Sequence, residues 1–534
     1  MTVRTKFLVF ALIIALLSTA AAGCLTARKS SGKVLRYSAG TEPETLDPRK
    51  STGSPEAICE AQIYEGLTTL AAGDIPAAAT AEKWEISADG LTYTFHLRAN
   101  ARWSNGDPVT AHDFEYSWKS TLSPALGAKY AYQLYYLKNG ESYNKGQATA
   151  DAVGVKALDD RTLQVVLEKP TPYFLTLAAF HTYYPVHRVT AAANDNWAAD
   201  PKTLVGNGPF RVTSWVHSSM LEFAKNEFYW DAVRVKMAKM EFALTDSATT
   251  ELNMFENNQL DMGGNVPNNE IPRLLKEGKV KVFPLLATYF YTFNVTRPPF
   301  DNVKVRKAFT LAIDRAAIVK NVTLAGQQPA LAWVPPGLAD AAPGSDFRKT
   351  GGDFFADNDA ASARRLLAEA GYPDGRGLPP VTLIYNTSEG HKAIAEAVQE
   401  MWRKNLGVNV AIANQEWKVF INARTKGDYQ LARHGWTGDY LDPMTFIDMF
   451  TADSGNNDPQ YRNPAYEELV SRAKESNDQA VRMRLMHEAE RLLMDDAVIA
   501  PVYYYTNTVL VKPNVKGYMR SVMGVIYFKE AYLE

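Results

Sequence analysis

Apolar and polar positions follow two rhythms along this chain. Residues 91–97 (LTYTFHL) and 161–167 (RTLQVVL) alternate with period two, which predicts half-buried strands, the second stopped soon after by Pro170. Residues 34–38 (VLRYS), with Leu35 and Tyr37 in phase, predict a first strand. Another is expected over residues 210–215, behind the turn Gly206-Asn207-Gly208-Pro209. Helical spacing appears at residues 360–370 (AASARRLLAEA), with Asp359 as N-cap and Gly371 closing the element. Residues 391–404 predict a second helix followed by a strand over 408–413, and residues 480–495 a late helix feeding a strand over 500–505. No repeat, low-complexity tract or long linker interrupts this alternation. The fold class it predicts is mixed α/β.

The N-terminus carries a different pattern. Arg4 and Lys6 precede an unbroken apolar stretch over residues 7–17, small residues over 18–23, and Cys24. The stretch is too short to span a membrane, which takes ~20 apolar residues, and reads as the hydrophobic region of an export signal. Ala21-Ala22-Gly23-Cys24 resembles a lipobox, with Ala21 where leucine is usual, so residues 1–23 are expected to be removed and Cys24 to carry lipid. Ordinary cleavage within Ala20-Ala21-Ala22 is the alternative, and would leave a free thiol. Residues 25–33 (LTARKSSGK) read as a polar tether. Beyond Cys24 only Cys59 remains, four residues before Ile63 on one face of an expected helix, a small buried hydrophobe rather than a nucleophile.

A chain of 534 residues exceeds what one core supports, so two or three lobes are expected. With 57 basic and 59 acidic residues and a net charge of −2, it lacks the basic face that a nucleic-acid partner requires. Catalytic motifs fail one by one. His487-Glu488 opens an HExxH pattern, but Arg491 stands where the second histidine belongs. There is no GxSxG, P-loop or GxGxxG before a helix, and Pro209 removes an amide that a phosphate cradle would use. Asp439 and Asp442 suggest paired carboxylates, but Asp442 precedes Pro443 and reads as the cap of a turn. The expectation is a protein that binds and does not catalyse, with no cofactor or metal.

Aromatic residues cluster instead: Tyr130, Tyr132, Tyr135 and Tyr136, then Tyr289-Phe290-Tyr291, then Tyr503-Tyr504-Tyr505, with Trp417 and Trp436 between. Strand alternation makes one or two of each cluster core, and Tyr503 and Tyr504 are assigned there. The rest suit a cleft for a ligand that is part polar and part apolar.

The chain is similar to the oligopeptide-binding proteins of ABC importers, within the bacterial extracellular solute-binding family 5 that also holds dipeptide, nickel and haem binders. The similarity runs from about Val34 to the C-terminus. It rests on residues 81–84 (AEKW), 91–114 (LTYTFHLRANARWSNGDPVTAHDF), 116–118 (YSW) and 208–210 (GPF). It continues through residues 293–309 (FNVTRPPFDNVKVRKAF), 311–315 (LAIDR), 385–392 (YNTSEGHK), 405–410 (NLGVNV), 414–418 (NQEWK) and 501–505 (PVYYY).

That resemblance implies a periplasmic-binding-protein-like fold with two hinge crossings and a ligand enclosed between lobes. The lobes would be residues 24–65 with 189–290 and 506–534, residues 66–188, and residues 291–505. It implies a monomer held to the membrane through Cys24, outside the cytoplasm, that gives short peptides to importer permease subunits. A peptide-signal receptor and a nickel or haem carrier of the same fold stay as alternatives. The resemblance puts the peptide ammonium on Asp439, and backbone groups of Gly435 and Thr437 beside Trp436 against the peptide. Thr52 to Ser54 would lie on its other side. Arg433, Arg424 and His391 match positions that meet carboxylates or line side-chain pockets, with Tyr130, Trp417 and Tyr505 as aromatic walls. Arg433 as a structural ion-pair partner of Asp439, and His391 as a helix-opening residue, are the competing assignments.

Overall fold

The computed structural model describes residues 33–534; residues 1–23 and Cys24 lie outside them. One mixed sheet of eleven strands runs through most of the molecule. Its order is Val410–Gln415, Val381–Asn386, Leu431–Thr437, Val280–Phe293, Ile499–Val511, Met262–Gly263, Val34–Gly40, Lys239–Leu244, Met220–Lys225 and Phe210–Val216, with Gln328–Pro329 branching from Ile499–Val511. A separate antiparallel sheet, Ala81–Ile86, Thr92–Leu97, Thr162–Val166 and Val155–Asp159, packs against the helix Ala111–Leu122. That helix starts on a capping box between Thr110 and Asp113.

Two long antiparallel strands, Val280–Phe293 and Ile499–Val511, carry the chain from one half of the large sheet to the other. Their pairing slips between Pro284 and Thr288, so the crossings sit at an irregularity in the ladder. On one side lies the core of Tyr289, Phe309, Leu383, Val398 and Trp402; on the other the larger core that includes Leu35, Phe95, Trp118 and Phe242. The molecule is therefore multi-lobed, with both crossings in one strand pair.

Expected elements recur with modest changes of boundary. Asp359 caps Ala360–Glu369 by accepting from the Ser362 N–H at 3.0 Å. Ser388 caps Glu389–Leu406, which ends where Gly407 turns left-handed. Cys59 is wholly buried on Ser54–Ile63 together with Ile63. The strand expected over 500–505 runs on to Val511, because pairing with Val280–Phe293 carries it through the polar residues Thr506-Asn507-Thr508. The turn before Phe210 has a further task. Asn207 exchanges two hydrogen bonds with the Glu65 backbone, at 2.9 and 2.8 Å, and ties this turn to the chain just past the helix Ser54–Ile63.

Candidate functional site

The strand Leu431–Thr437 pairs with Val280–Phe293 along its whole length but with Val381–Asn386 only at Leu431 and Ala432. From Arg433 onward one edge is open. Gly438 N–H donates to Leu286 O at 2.8 Å, and Asn294 N–H to Gln430 O at 2.9 Å. By antiparallel alternation, the backbone groups of Gly435 and Thr437 then point away from Val280–Phe293, into the open edge. Gly435 belongs there for a steric reason: a Cβ would sit 3.0 Å from Tyr505 Oη and 3.1 Å from Arg433 Nη2.

Past the strand, the chain turns into a short helix, Met444–Ile447. Trp436 Nε1 donates to Thr445 O at 2.8 Å, and Asp439 N–H to Thr445 Oγ1 at 2.9 Å, which fixes Asp439 against the turn. Asp442 accepts from Met444 N–H at 2.9 Å, the cap expected of it, and also pairs with Arg482 at 2.7 Å. Asp439 is buried, and its carboxylate accepts only from neutral groups: Tyr130 Oη at 3.2 Å and Gln133 Nε2 at 2.7 Å. No cation pairs with it among the described residues. Burial, and then the charge of Asp448, push this carboxyl well above the usual range despite those two donors.

Arg433 is the counterpart. Its Nη2 donates to Tyr505 Oη at 2.6 Å and its Nη1 to Asn386 Oδ1 at 3.3 Å, with the guanidinium 5.0 Å from the Tyr289 ring centre. It meets no carboxylate among the described residues, so the Arg433–Asp439 ion pair does not form, and its buried Nε has no partner. Arg424 differs: its buried charge is taken by Asp458, which also lies 3.4 Å from His434 Nε2. That ion pair holds the Asp458 carboxyl below its usual range although burial pushes the other way. His391 opens its helix on the Ser388 cap and packs 5.6 Å from the Tyr289 ring, a layer behind Arg433. Burial and the nearby Arg433 charge push its ring well below the usual histidine range, so it stands neutral.

These groups converge on a cavity of about 350 Å³. Of the twelve residues singled out from the sequence, eleven line it: Thr52, Ser54, Tyr130, Trp417, Arg424, Arg433, Gly435, Trp436, Thr437, Asp439 and Tyr505. His391 does not; it packs against Tyr289, which is not on the lining either. The wall opposite the open strand edge is the start of Ser54–Ile63, where Gly53 leaves room for Glu56. A Cβ on Gly53 would lie 2.1 Å from Glu56 Oε2. Trp417 Nε1 is buried without a hydrogen-bond partner among the described residues, as are Arg433 Nε and His434 Nε2 on the same lining. Sequence reasoning missed His181, His434, Asn386 and Asn456, all on the lining. His434 stands between Arg433 and Gly435, and Asn386 inside residues 385–392, so both adjoined residues already singled out, while His181 and Asn456 sit in segments with no distinctive pattern.

Known proteins share this arrangement. The pattern that defines the bacterial extracellular solute-binding proteins, family 5 Middle, matches residues 76–458. The chain is 40% identical over 546 residues to the oligopeptide-binding protein OppA of Bacillus subtilis, covering 100% of this chain and 99% of that one. Haemophilus influenzae OppA in complex with the peptide RPPGFSPFR superposes with a TM-score of 0.87 at 33% identity, covering 94% of this chain and 99% of the other. The Escherichia coli murein tripeptide binding protein MppA reaches 0.89 at 34% identity, with 94% and 99% covered. The unliganded open form of MppA reaches only 0.63 at the same identity, with 94% and 98% covered. The present structure is thus arranged more like the peptide-bound relative than like the open one.

Proposed function

The chain belongs to the bacterial extracellular solute-binding proteins of family 5, and from that premise we propose that it captures short peptides and delivers them to an ABC importer. One observation carries this reading. A buried carboxylate, Asp439, and a half-buried guanidinium, Arg433, neither with an ion-pair partner among the described residues, line one cavity along one open strand edge. That is the complement of a peptide, whose ammonium, amide ladder and carboxylate are its constant features. Backbone pairing on the edge at Gly435 and Thr437 would take the ladder without reading side chains. The Arg433 guanidinium lies beside Gly435, and Asp439 follows the last strand residue, Thr437, by two, so the backbone from Gly435 to Asp439 spans at most about 14 Å. An extended peptide of roughly three or four residues spans that distance.

The lobes we propose are residues 24–65 with 189–290 and 506–534, residues 66–188, and residues 291–505. The first and third close on the ligand. Closure requires that the ligand bind the closed state better, which contacts to both walls supply. A ligand in hundredfold excess over its dissociation constant should stabilise the fold by about 2.7 kcal/mol. Melting of the purified protein should shift upward with mixed tripeptides and tetrapeptides and stay put with free sugars. A response to sugars alone overturns the peptide reading.

Outside the cytoplasm the protein would be held by lipid on Cys24, as a monomer. The Cys24→Ser protein should leave the membrane fraction for the soluble one. Retention with membranes would remove the lipoprotein reading.

A further inference from the structure

A second cavity, of about 360 Å³, opens between residues 132–173 and residues 451–482. It shares a wall with the first: Asn456, which lines the first cavity, donates to the Tyr132 hydroxyl, which lines the second, at 3.2 Å. Tyr132, Tyr135, Tyr136 and Tyr173 give it aromatic walls, and Tyr173 is held flat by stacking on Tyr440 at 4.7 Å. The charges around it do not balance. Lys474 sits 3.1 Å from Asp448, and Arg482 is clamped by Asp442, so the two inner cations are already neutralised. Lys145 is shared between Glu141 and Asp453, at 2.8 and 2.7 Å, which leaves one carboxylate over. Glu168 accepts the Asn139 N–H at 2.9 Å and, counted with Lys169, adds no net charge. Among the described residues Glu467 accepts only the Ala452 N–H, at 2.8 Å, and Glu475 only the Ser471 hydroxyl, at 3.5 Å. Lys474 and Arg482 already stand over the Tyr136 and Tyr173 rings, at 5.8 and 5.4 Å from their centres, so this lining holds cations against aromatic faces, and the surplus carboxylates leave charge for one more, an ammonium carried on an apolar body.

We propose that this cavity is a second ligand site, for a small organic cation with an aromatic or apolar body, distinct from the peptide cleft and coupled to it. The coupling has a structural route, and it rests on the closing motion proposed above. The two walls meet across the closed interface, through the Asn456–Tyr132 bond, the Lys145–Asp453 pair and the Lys474 and Arg482 cations over Tyr136 and Tyr173, with Tyr440 bonded to Tyr136 at 2.9 Å and stacked on Tyr173. A ligand touching both walls favours closure, as does a peptide in the first cavity, and each therefore raises the other's affinity by the same factor.

The test is calorimetric titration of the full mature protein with phenethylamine, 2-phenylethanol and 3-phenylpropanoate, each with and without the peptide Ala-Ala-Ala. Phenethylamine should bind saturably at one site, with 2-phenylethanol about tenfold weaker and the anion weaker still. Glu467→Gln combined with Glu475→Gln should bring the amine down to the alcohol's affinity. Ser471→Trp, at an exposed helix position on the cavity rim, should abolish amine binding and keep wild-type peptide affinity. Saturating phenethylamine should tighten Ala-Ala-Ala binding at least about fivefold in wild type and leave it unchanged in Ser471→Trp. Competition between amine and peptide would place the amine on Asp439 and overturn the proposal. So would amine binding that survives Ser471→Trp, or equal binding of the anion. Failure of Ala-Ala-Ala to bind under any condition would strike the peptide reading, while the amine titrations of wild type and Ser471→Trp would still decide the second site.

Discussion

Replacing Asp439 with alanine is expected to weaken peptide binding by roughly two to three orders of magnitude, since each tenfold step is about 1.4 kcal/mol. The size follows from burial. In the closed cleft both the Asp439 carboxylate and the ligand ammonium are out of water, and removing one partner of such a pair leaves the other charge buried alone, at ~3–5 kcal/mol. Acetylating the peptide N-terminus removes the other partner and should cost wild type a similar amount. In Asp439→Ala the same acetylation should cost much less, because nothing remains to be left unpaired. Isothermal titration of four combinations, two proteins by two peptides, measures this directly. Equal acetylation penalties in both proteins would remove Asp439 from the site.

The same residue sets the pH dependence. Without a cation, burial and Asp448 raise the Asp439 carboxyl, so the ligand-free closed protein holds its proton to higher pH than a free aspartate does. An ammonium bound beside it favours the carboxylate and lowers that value. Below the ligand-free pKa, binding must therefore release a proton, and affinity should fall as pH falls, approaching a factor of about ten per unit. Folding carries the opposite sign. The folded, ligand-free protein binds this proton more tightly than the unfolded chain, so Asp439 destabilises the empty fold increasingly as pH rises above the unfolded value. An N-acetylated peptide should show neither the proton release nor the slope.

How much of this was legible in the sequence depends on the range of the interactions. Period-two and period-3.6 patterns placed the strand over 34–38 and the capped helix after Asp359, because those signals are local. The open edge of Leu431–Thr437 was not local. It exists because Val381–Asn386 stops pairing after Ala432, and only the assembled sheet shows that. Family motifs brought eleven lining residues to one cavity, since the motif containing Gly435 and Asp439 is contiguous. They said less about charge. Arg424 and Arg433 look equivalent in the sequence, nine positions apart. The structure separates them: Asp458, distant in the chain, neutralises the first, and only neutral oxygens meet the second. The Tyr130 cluster divided in the same way. Tyr130 faces Asp439, whereas Tyr135 and Tyr136 line a different cavity.

That separation makes Arg433→Met the other substitution with a large expected effect. For a peptide whose carboxylate reaches the guanidinium beside Gly435, the loss should be about a hundredfold, because truncating one member of a buried, hydrogen-bonded charge pair costs roughly 2–5 kcal/mol. Arg433→Lys should recover only part of it. Lysine keeps the charge but not the planar fork that meets Tyr505, Asn386 and a carboxylate together. The measurement is a length series of peptides, each as free acid and as C-terminal amide, titrated into wild type, Arg433→Met and Arg424→Met. In wild type, amidation should cost most at about three or four residues, the length that covers the backbone of at most about 14 Å between Gly435 and Asp439. Arg433→Met should erase that maximum. Arg424→Met should keep it and instead lower thermal stability, because it leaves the Asp458 carboxylate buried without its cation. An amidation penalty that persists in Arg433→Met, or that vanishes in Arg424→Met, would move the carboxylate site from the first arginine to the second.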